Sequence, residues 1–261
     1  MGFQVTDAFA DGFDDFASGQ GAVLAVVYVV LGLINTVLVQ TALEVVFRVL
    51  FRAADIPQEA IQEAGGFGAI APLSLGLPLT IVVPLILLFA IVGFPLTIVA
   101  IRMLASDSSE LVPAAATDGL LKASALLFGA RLLAGIAIGL GSLLLVIPGI
   151  IVWVLLVFVN QEIALNDAGI VDALSNSVDI VTDNAIGVIA VIVALVLIAI
   201  GVMLPVWILG GLLPPAIGPI LTTTINGIVG VFGIAVITAA YQLAVADDTA
   251  AVGPDDEPAE L

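Results

Sequence analysis

Charged positions along the chain are sparse, and long charge-free runs separate them. No Asp, Glu, Lys or Arg occurs in 16–43, 64–101, 132–161 or 184–246. Crossing the hydrocarbon core of a bilayer takes about 20 apolar residues in a helix, and each run is long enough for at least one crossing. The first run predicts a span over 21–39, continued as an amphipathic extension through Glu44, Arg48 and Arg52. The second opens with AGGFGAIAPLSLG, a poor helix interior read as a loop or re-entrant break. Its span follows over 77–101, with Pro84 and Pro95 inside and kinks expected at both. In the third, Pro148-Gly149 predicts a tight turn between spans 125–147 and 150–165. The fourth is broken by MLPVWILGGLLPPAIGP, which leaves spans 186–204 and 217–245. The pattern therefore predicts an all-α, polytopic membrane helical bundle of six transmembrane helices. It forms one domain over 1–246, followed by an acidic tail, 247–261, expected to be disordered.

Three short segments, 6–16, 118–127 and 170–181, alternate apolar and polar residues at helical period and predict interfacial amphipathic helices. DAFADGFD (7–14) and DALSNSVD (172–179) share an Asp-Ala start, an apolar third residue and a closing apolar-Asp pair. DGLLKAS (118–124) is a weaker third copy. Each precedes a pair of spans, which suggests a repeated unit of interfacial helix plus hairpin. A chance match in a chain rich in Ala, Asp and Val is the competing reading.

Composition agrees with lipid as the solvent. Of 261 residues, 62% are hydrophobic and 10% charged, and the mean hydropathy is +1.30. Soluble domains are about a quarter charged, so this chain has too few polar side chains to cover a water-facing globule. The net charge of −17, with only five basic residues, argues against nucleic acid as a partner and against a basic patch for anionic headgroups. With no Cys and no His, thiolate chemistry, imidazole acid–base catalysis and their metal ligation drop out. Gly65–Gly68 lacks the Lys-Ser/Thr that completes a phosphate loop. The sequence predicts no catalytic residue, no cofactor and no metal site. The opening MGFQVTDAFADGFDDF has no basic segment and is not expected to be a cleavable signal.

A few polar residues fall in or beside the spans. A charge inside the membrane is costly unless paired. Folding the third run about Pro148 brings Arg131 to within about three residues of the depth of Glu162, or about 4–5 Å at 1.5 Å per residue. That predicts an Arg131–Glu162 pair, joined by Asn160 or Gln161. It reads either as a structural clamp or as a polar gate, and snorkelling of Arg131 to the interface is a third reading. Asn35, Thr36, Gln40 and Thr41 on the first span and Thr222–Thr224 and Asn226 on the last are expected to turn inward. They serve either as cross-helix hydrogen bonds or as a substrate path lined by Asn35 and Asn226. Glu44 and Arg48, at i and i+4, are expected to pair.

The segment 147–184, IPGIIVWVLLVFVNQEIALNDAGIVDALSNSVDIVTDN, resembles the pattern of a broad membrane-domain family. That family includes the membrane domain attached to some glycerophosphodiester phosphodiesterases and uncharacterised stand-alone archaeal proteins. Pro148, Gly149, Asp167, Asp172, Ala173, Ser177 and Asn184 stand at matching places, and the six-span layout is similar. Where the family often has basic residues before the Ser and an aromatic after it, this chain has Ser175, Asn176 and Val178. In those relatives the phosphodiesterase activity belongs to a separate soluble barrel, so the resemblance does not imply that activity here. It does imply that the Ser-bearing helix is cytoplasmic. The lone Lys, the lack of Cys and the abundant Asp, Ala and Val resemble the usage of salt-loving archaea.

An even number of spans puts both termini on one side. With that side cytoplasmic, Arg102, Lys122 and Arg131 lie inside and Arg48 and Arg52 outside, in weak agreement with the positive-inside rule. The expected function is that of a non-enzymatic cell-membrane protein working through membrane lipids or proteins. The alternative is a transporter or channel for a small or lipophilic solute. A lipid enzyme ranks last, because Asp172, Asp179 and Asp183, at i, i+7 and i+11, read as a solvated acidic face.

Overall fold

The computed structural model describes residues 3–106, 108 and 110–251, apart from the side chains of Leu144 and residues 247–251. The described residues are helical, with no strand. In chain order the helices are α1 (Val5–Ala17), α2 (Gly19–Ala53), α3 (Gln58–Glu63), α4 (Gly66–Ile70), α5 (Leu79–Leu104) and α6 (Leu120–Leu144). There follow α7 (Val146–Leu155), α8 (Val159–Asn166), α9 (Ile170–Asp183), α10 (Ala185–Leu212) and α11 (Ile217–Ala251). Six helical stretches are long and apolar enough to cross a membrane, one of them α7 and α8 taken together. The protein is an all-α, multi-pass membrane protein.

The element boundaries differ from the sequence expectations in instructive places. The hairpin between the third and fourth spans turns at Leu145, which is extended (φ −165°, ψ 151°), not at Pro148-Gly149. Pro148 sits in the first turn of α7, where its missing N–H has no intrahelical acceptor to lose. The fourth span is interrupted between Leu155 and Val159. Helix α10 runs on through Pro205 to Leu212, so the fourth run breaks only at 213–216. The short α3 precedes the Gly-rich stretch, which itself forms the short α4, entered through Gly65 and Gly66 at positive φ. The segment from Asp118 forms no separate interfacial helix; it caps and opens α6. Helix α11 continues to Ala251, and the remainder of the expected acidic tail, 252–261, lies outside the described residues.

The chain divides into two compact units. The first contains 1–23, 94–197 and 231–261, and the second 24–93 and 198–230. In the first unit α8 is central. Phe158 belongs to one apolar cluster with Ala8, Val181, Val188, Val236 and Tyr241. Val159 and Ile163 belong to a second, with Ile98, Ile101, Leu127 and Ala173. Both amphipathic helices bury a small pair four residues apart, Ala8 and Gly12 on α1, Ala173 and Ser177 on α9. A Cβ on Gly12 would stand 2.6 Å from the Val236 backbone, so α1 lies directly on α11 there.

In the second unit, polar side chains of α2 hold the irregular segment before α5. Gln40 Oε1 accepts from the Leu73 N–H at 2.8 Å, and Thr41 Oγ1 from the Leu75 N–H at 3.1 Å. Glu44 accepts from both Ser74 and Arg48. Backbone outside a helix must find partners within the protein where water is absent; the Gln40 and Thr41 side chains provide two of them, and Glu44 holds the Ser74 side chain between them. Much of the side-chain surface of the spans is apolar and exposed, as at Leu121, Leu143 and Ile186.

Helices α6 and α7 also cross closely. A Cβ on Gly149 would lie 2.9 Å from the Ser142 backbone nitrogen and 2.0 Å from its Oγ. Gly149→Val forces the hairpin apart and is expected to lower stability by about 1–3 kcal/mol. Gly135→Ala meets nothing within 4 Å and is expected to be neutral. Thermal unfolding of both variants in the same detergent checks the contrast.

Candidate functional site

The polar chemistry of the first unit converges on α8. The break before it leaves the Phe158 N–H and the Leu155 carbonyl outside the helical ladder. The buried Ser177 hydroxyl, on α9, meets both: it accepts from Phe158 N at 3.2 Å and donates to Leu155 O at 2.8 Å. At the other end, α8 stops at Asp167, a left-handed C-cap (φ 50°, ψ 28°), a conformation Asp tolerates better than most residues. Arg102, in the last turn of α5, closes this end. Its Nε donates to Ala164 O at 2.6 Å, and one terminal nitrogen to Asp167 Oδ1 at 2.9 Å. The other terminal nitrogen donates to the Asp118 carbonyl. The arginine side chain is 11% exposed and the Asp167 side chain 64%. The pair is therefore solvent-screened on one side, and the guanidinium's hold on two backbone carbonyls is the stronger element. A cavity of about 370 Å³ opens beside it, lined by Arg102, Ser106, Asp118, Gly119, Leu165 and Asp167 among others.

Between these two joints lies Glu162, which is 2% exposed. The Tyr241 hydroxyl donates to its Oε1 at 2.6 Å, and the Asn176 amide to its Oε2 at 2.9 Å. The Asn166 amide donates to the Tyr241 oxygen at 2.7 Å and reaches Glu162 Oε1 at 3.4 Å. All three partners are neutral. The expected Arg131–Glu162 pair does not form. Arg131 is exposed on α6, with Nε at 3.3 Å from Asn160 Oδ1 and a terminal nitrogen at 3.4 Å from Thr97 Oγ1. Its guanidinium carbon lies 5.6 Å from the centre of the Phe94 ring. Glu162 and Arg131 fall on different faces because the break at 156–158 resets the helix before Glu162, which a straight span measured from Pro148 does not anticipate.

The remaining motif residues are joints as well. Asp172 is exposed in the first turn of α9, where a carboxylate suits the helix dipole. Ala173 is fully buried where α9 meets the second cluster. Asn184 is the single residue linking α9 to α10. Its side chain donates to Ile180 O at 3.2 Å, and its carbonyl accepts from Val188 N at 3.0 Å. In the second unit the structure brings together Thr36 and Thr223, whose hydroxyls are 2.8 Å apart. Asn35 is half-buried and Asn226 exposed, and no hydrogen bond between them occurs among the described residues.

Sequence reasoning missed Arg102, Tyr241, Asn166 and Asn176 as members of this network. One signal was available: a Glu within a span requires donors, and Tyr241 is one of only two tyrosines in the chain. Ser177→Ala leaves the buried Phe158 N–H without its acceptor and is expected to lower stability by about 1–3 kcal/mol. Arg102→Ala frees two carbonyls that a charged donor held, with an expected loss of about 2 kcal/mol, whereas Arg131→Ala should be milder. Denaturation of the three variants in micelles ranks them.

No curated protein and no solved structure matches the chain. A family model does match, over residues 76–244, which include α5 to α10 and most of α11. The protein belongs to that family, DUF7847, a domain of unknown function.

Proposed function

We propose that this chain is a non-enzymatic membrane protein that organises or regulates other membrane components through contacts with lipids and proteins. One observation carries the reading. Arg102, Gln40, Glu44 and Asn184, in and beside the spans, fasten the chain's own helix ends and irregular segments, while much of the exposed surface of the spans is apolar. Arg102 is spent on α8, and Glu44 on Ser74 and Arg48. Apolar faces of this kind suit acyl chains or the faces of other membrane helices. Helix α9 carries three of the residues, Asp172, Ala173 and Ser177, that give segment 147–184 its resemblance to the membrane domain attached to some glycerophosphodiester phosphodiesterases, and it serves as a brace in the present reading. Residence in the cell membrane with both termini cytoplasmic completes the proposal.

A transporter or channel is the second reading, and the observation favouring it is Glu162, a carboxyl group set among neutral partners inside a span. Proteoliposomes separate the two. The proposal expects flux of small ions and neutral solutes no faster than in protein-free vesicles, together with reproducible photo-crosslinks from lipid or protein to the outer faces of α2 and α5. Solute flux that saturates with concentration sinks the proposal and favours transport.

The absence of cysteine makes the orientation directly testable. A cysteine replacing Ser175 on α9 should react with an impermeant maleimide only from the cytoplasmic side, and one replacing Leu213 only from outside. The opposite labelling reverses the topology.

A further inference from the structure

We infer that the cavity at the C-terminal end of α2 is a binding site for a phosphodiester monoanion that carries an apolar group, the chemistry of a phospholipid headgroup. The cavity measures about 560 Å³. Arg48, Phe51, Arg52 and Asp55 line it from the last turns of α2 and the residues just after, Ile61 on α3 and Phe67 on α4 from the other side. All of it lies within the second unit. The inference deepens the proposed lipid contact by naming a headgroup and a place for it, and to that extent rests on that reading.

Two of the five basic residues in a chain of net charge −17 stand on this one cavity. Four residues apart on α2, they share a face of the helix. Arg48 is held from two sides. One of its terminal nitrogens donates to Glu44, and its guanidinium carbon lies 5.3 Å from the centre of the Phe67 ring. Phe67 in turn stacks on Phe51, with ring centres 6.0 Å apart. The remaining nitrogens of Arg48 make no hydrogen bond among the described residues. Arg52 is exposed and makes neither a hydrogen bond nor an ion pair among the described residues. The planar fork of an arginine matches the oxygens of a phosphate. A diffuse basic patch needs many charges, whereas a fork that is already oriented needs few.

Two features narrow the ligand. The turn after α2, closed by Ile56 N donating to Phe51 O at 3.0 Å, carries the exposed Asp55 on the rim at φ 51°. A second negative charge on the ligand would meet that carboxylate, which favours a singly charged phosphodiester over a dianionic monoester. The other feature is depth. The charge-free run of α2 ends at Leu43, so Arg48 and Arg52 follow the apolar stretch at the place where headgroups begin. Phe51, Ile61 and Phe67 supply an apolar wall for the rest of a lipid. The site precedes residues 76–244 and so lies outside the segment that the family model matches.

Native mass spectrometry of the full chain in maltoside micelles, which contain no phosphate, tests the site. Titration with dioctanoyl phosphatidylglycerol should give one saturable adduct, and dioctanoylglycerol, which lacks the phosphate, should not compete for it. Arg52→Gln should weaken the adduct about tenfold, the worth of one charge-assisted contact. Lys122→Gln, which removes the same charge from the other unit, should leave it unchanged. Glycerophosphoglycerol, the headgroup without chains, separates the two sources. Displacement of the adduct assigns the site to the diester itself, free or lipid-borne, and no displacement assigns it to the lipid. The inference is overturned by no adduct in the wild type, an equal adduct in Arg52→Gln, an equal loss in Lys122→Gln, or tighter binding of the monoester dioctanoyl phosphatidic acid. If Arg52→Gln does not fold, Arg48→Lys, which keeps the charge and loses the fork, decides by the same criterion. Solute flux decides the broader proposal separately, so each can fail without the other.

Discussion

The Ser177 hydroxyl joins the two sides of the break in the fourth span, and the arrangement of the first unit follows from it. A helix interrupted within a membrane exposes amide and carbonyl groups where lipid offers no partner. Here one side chain answers one of each, from a helix that is itself amphipathic and so can lie against the spans with its polar side outward. Once α9 is fixed at that point, Ala173 packs into the second cluster and Asn184 turns the chain into α10. Asn176 falls beside Glu162. Arg102 performs the complementary task at the far end of α8. The eight residues of α8 are thus held at both ends by side chains from other elements, with Tyr241 bonded at the centre. This gives a short helix a defined position that its own hydrogen bonds would not supply.

Charge-free run lengths carried most of the architecture into the sequence. Six crossings follow from hydropathy because lipid imposes a single dominant rule on a spanning segment. Punctuation was less legible. Pro148 and Pro205 look like breaks in isolation, yet one occupies a helix's first turn and the other is absorbed within α10. The actual hairpin turn, Leu145, carries no turn chemistry at all. Its position is set by the close fit of Gly149 on Ser142, a tertiary contact without a local signature. The break at 156–158 is equally silent, since LLVFV reads as continuous helix. The expected Arg131–Glu162 pair rests on a turn at Pro148 and an unbroken span, and the structure has neither. The Asp-Ala pattern shared by α1 and α9 was legible and does mark equivalent buried seams, whereas its third copy is the start of a span.

The resemblance motif acquires a physical meaning from these contacts. Gly149 permits a close crossing, Asp167 ends α8, Ala173 and Ser177 dock α9, and Asn184 links it onward. These are positions that specify a fold, and a pattern built from them recognises an architecture independently of any chemistry the architecture hosts. Between these joints lie Glu162, Asn166, Asn176 and Tyr241, which bond to one another.

The hairpin of α6 and α7 has a consequence for how the chain enters the membrane. From Leu132 to Gln161 it contains no charged residue, and its tip, with Leu145, Val146 and Ile147 exposed, is wholly apolar. Translocating such a tip requires no dehydration of an ion and no loop of hydrophilic chain on the far side. The two helices, already matched through Gly141 and Gly149, are therefore suited to enter the bilayer as a preassembled pair, ahead of the slower threading of segments whose flanks carry acids.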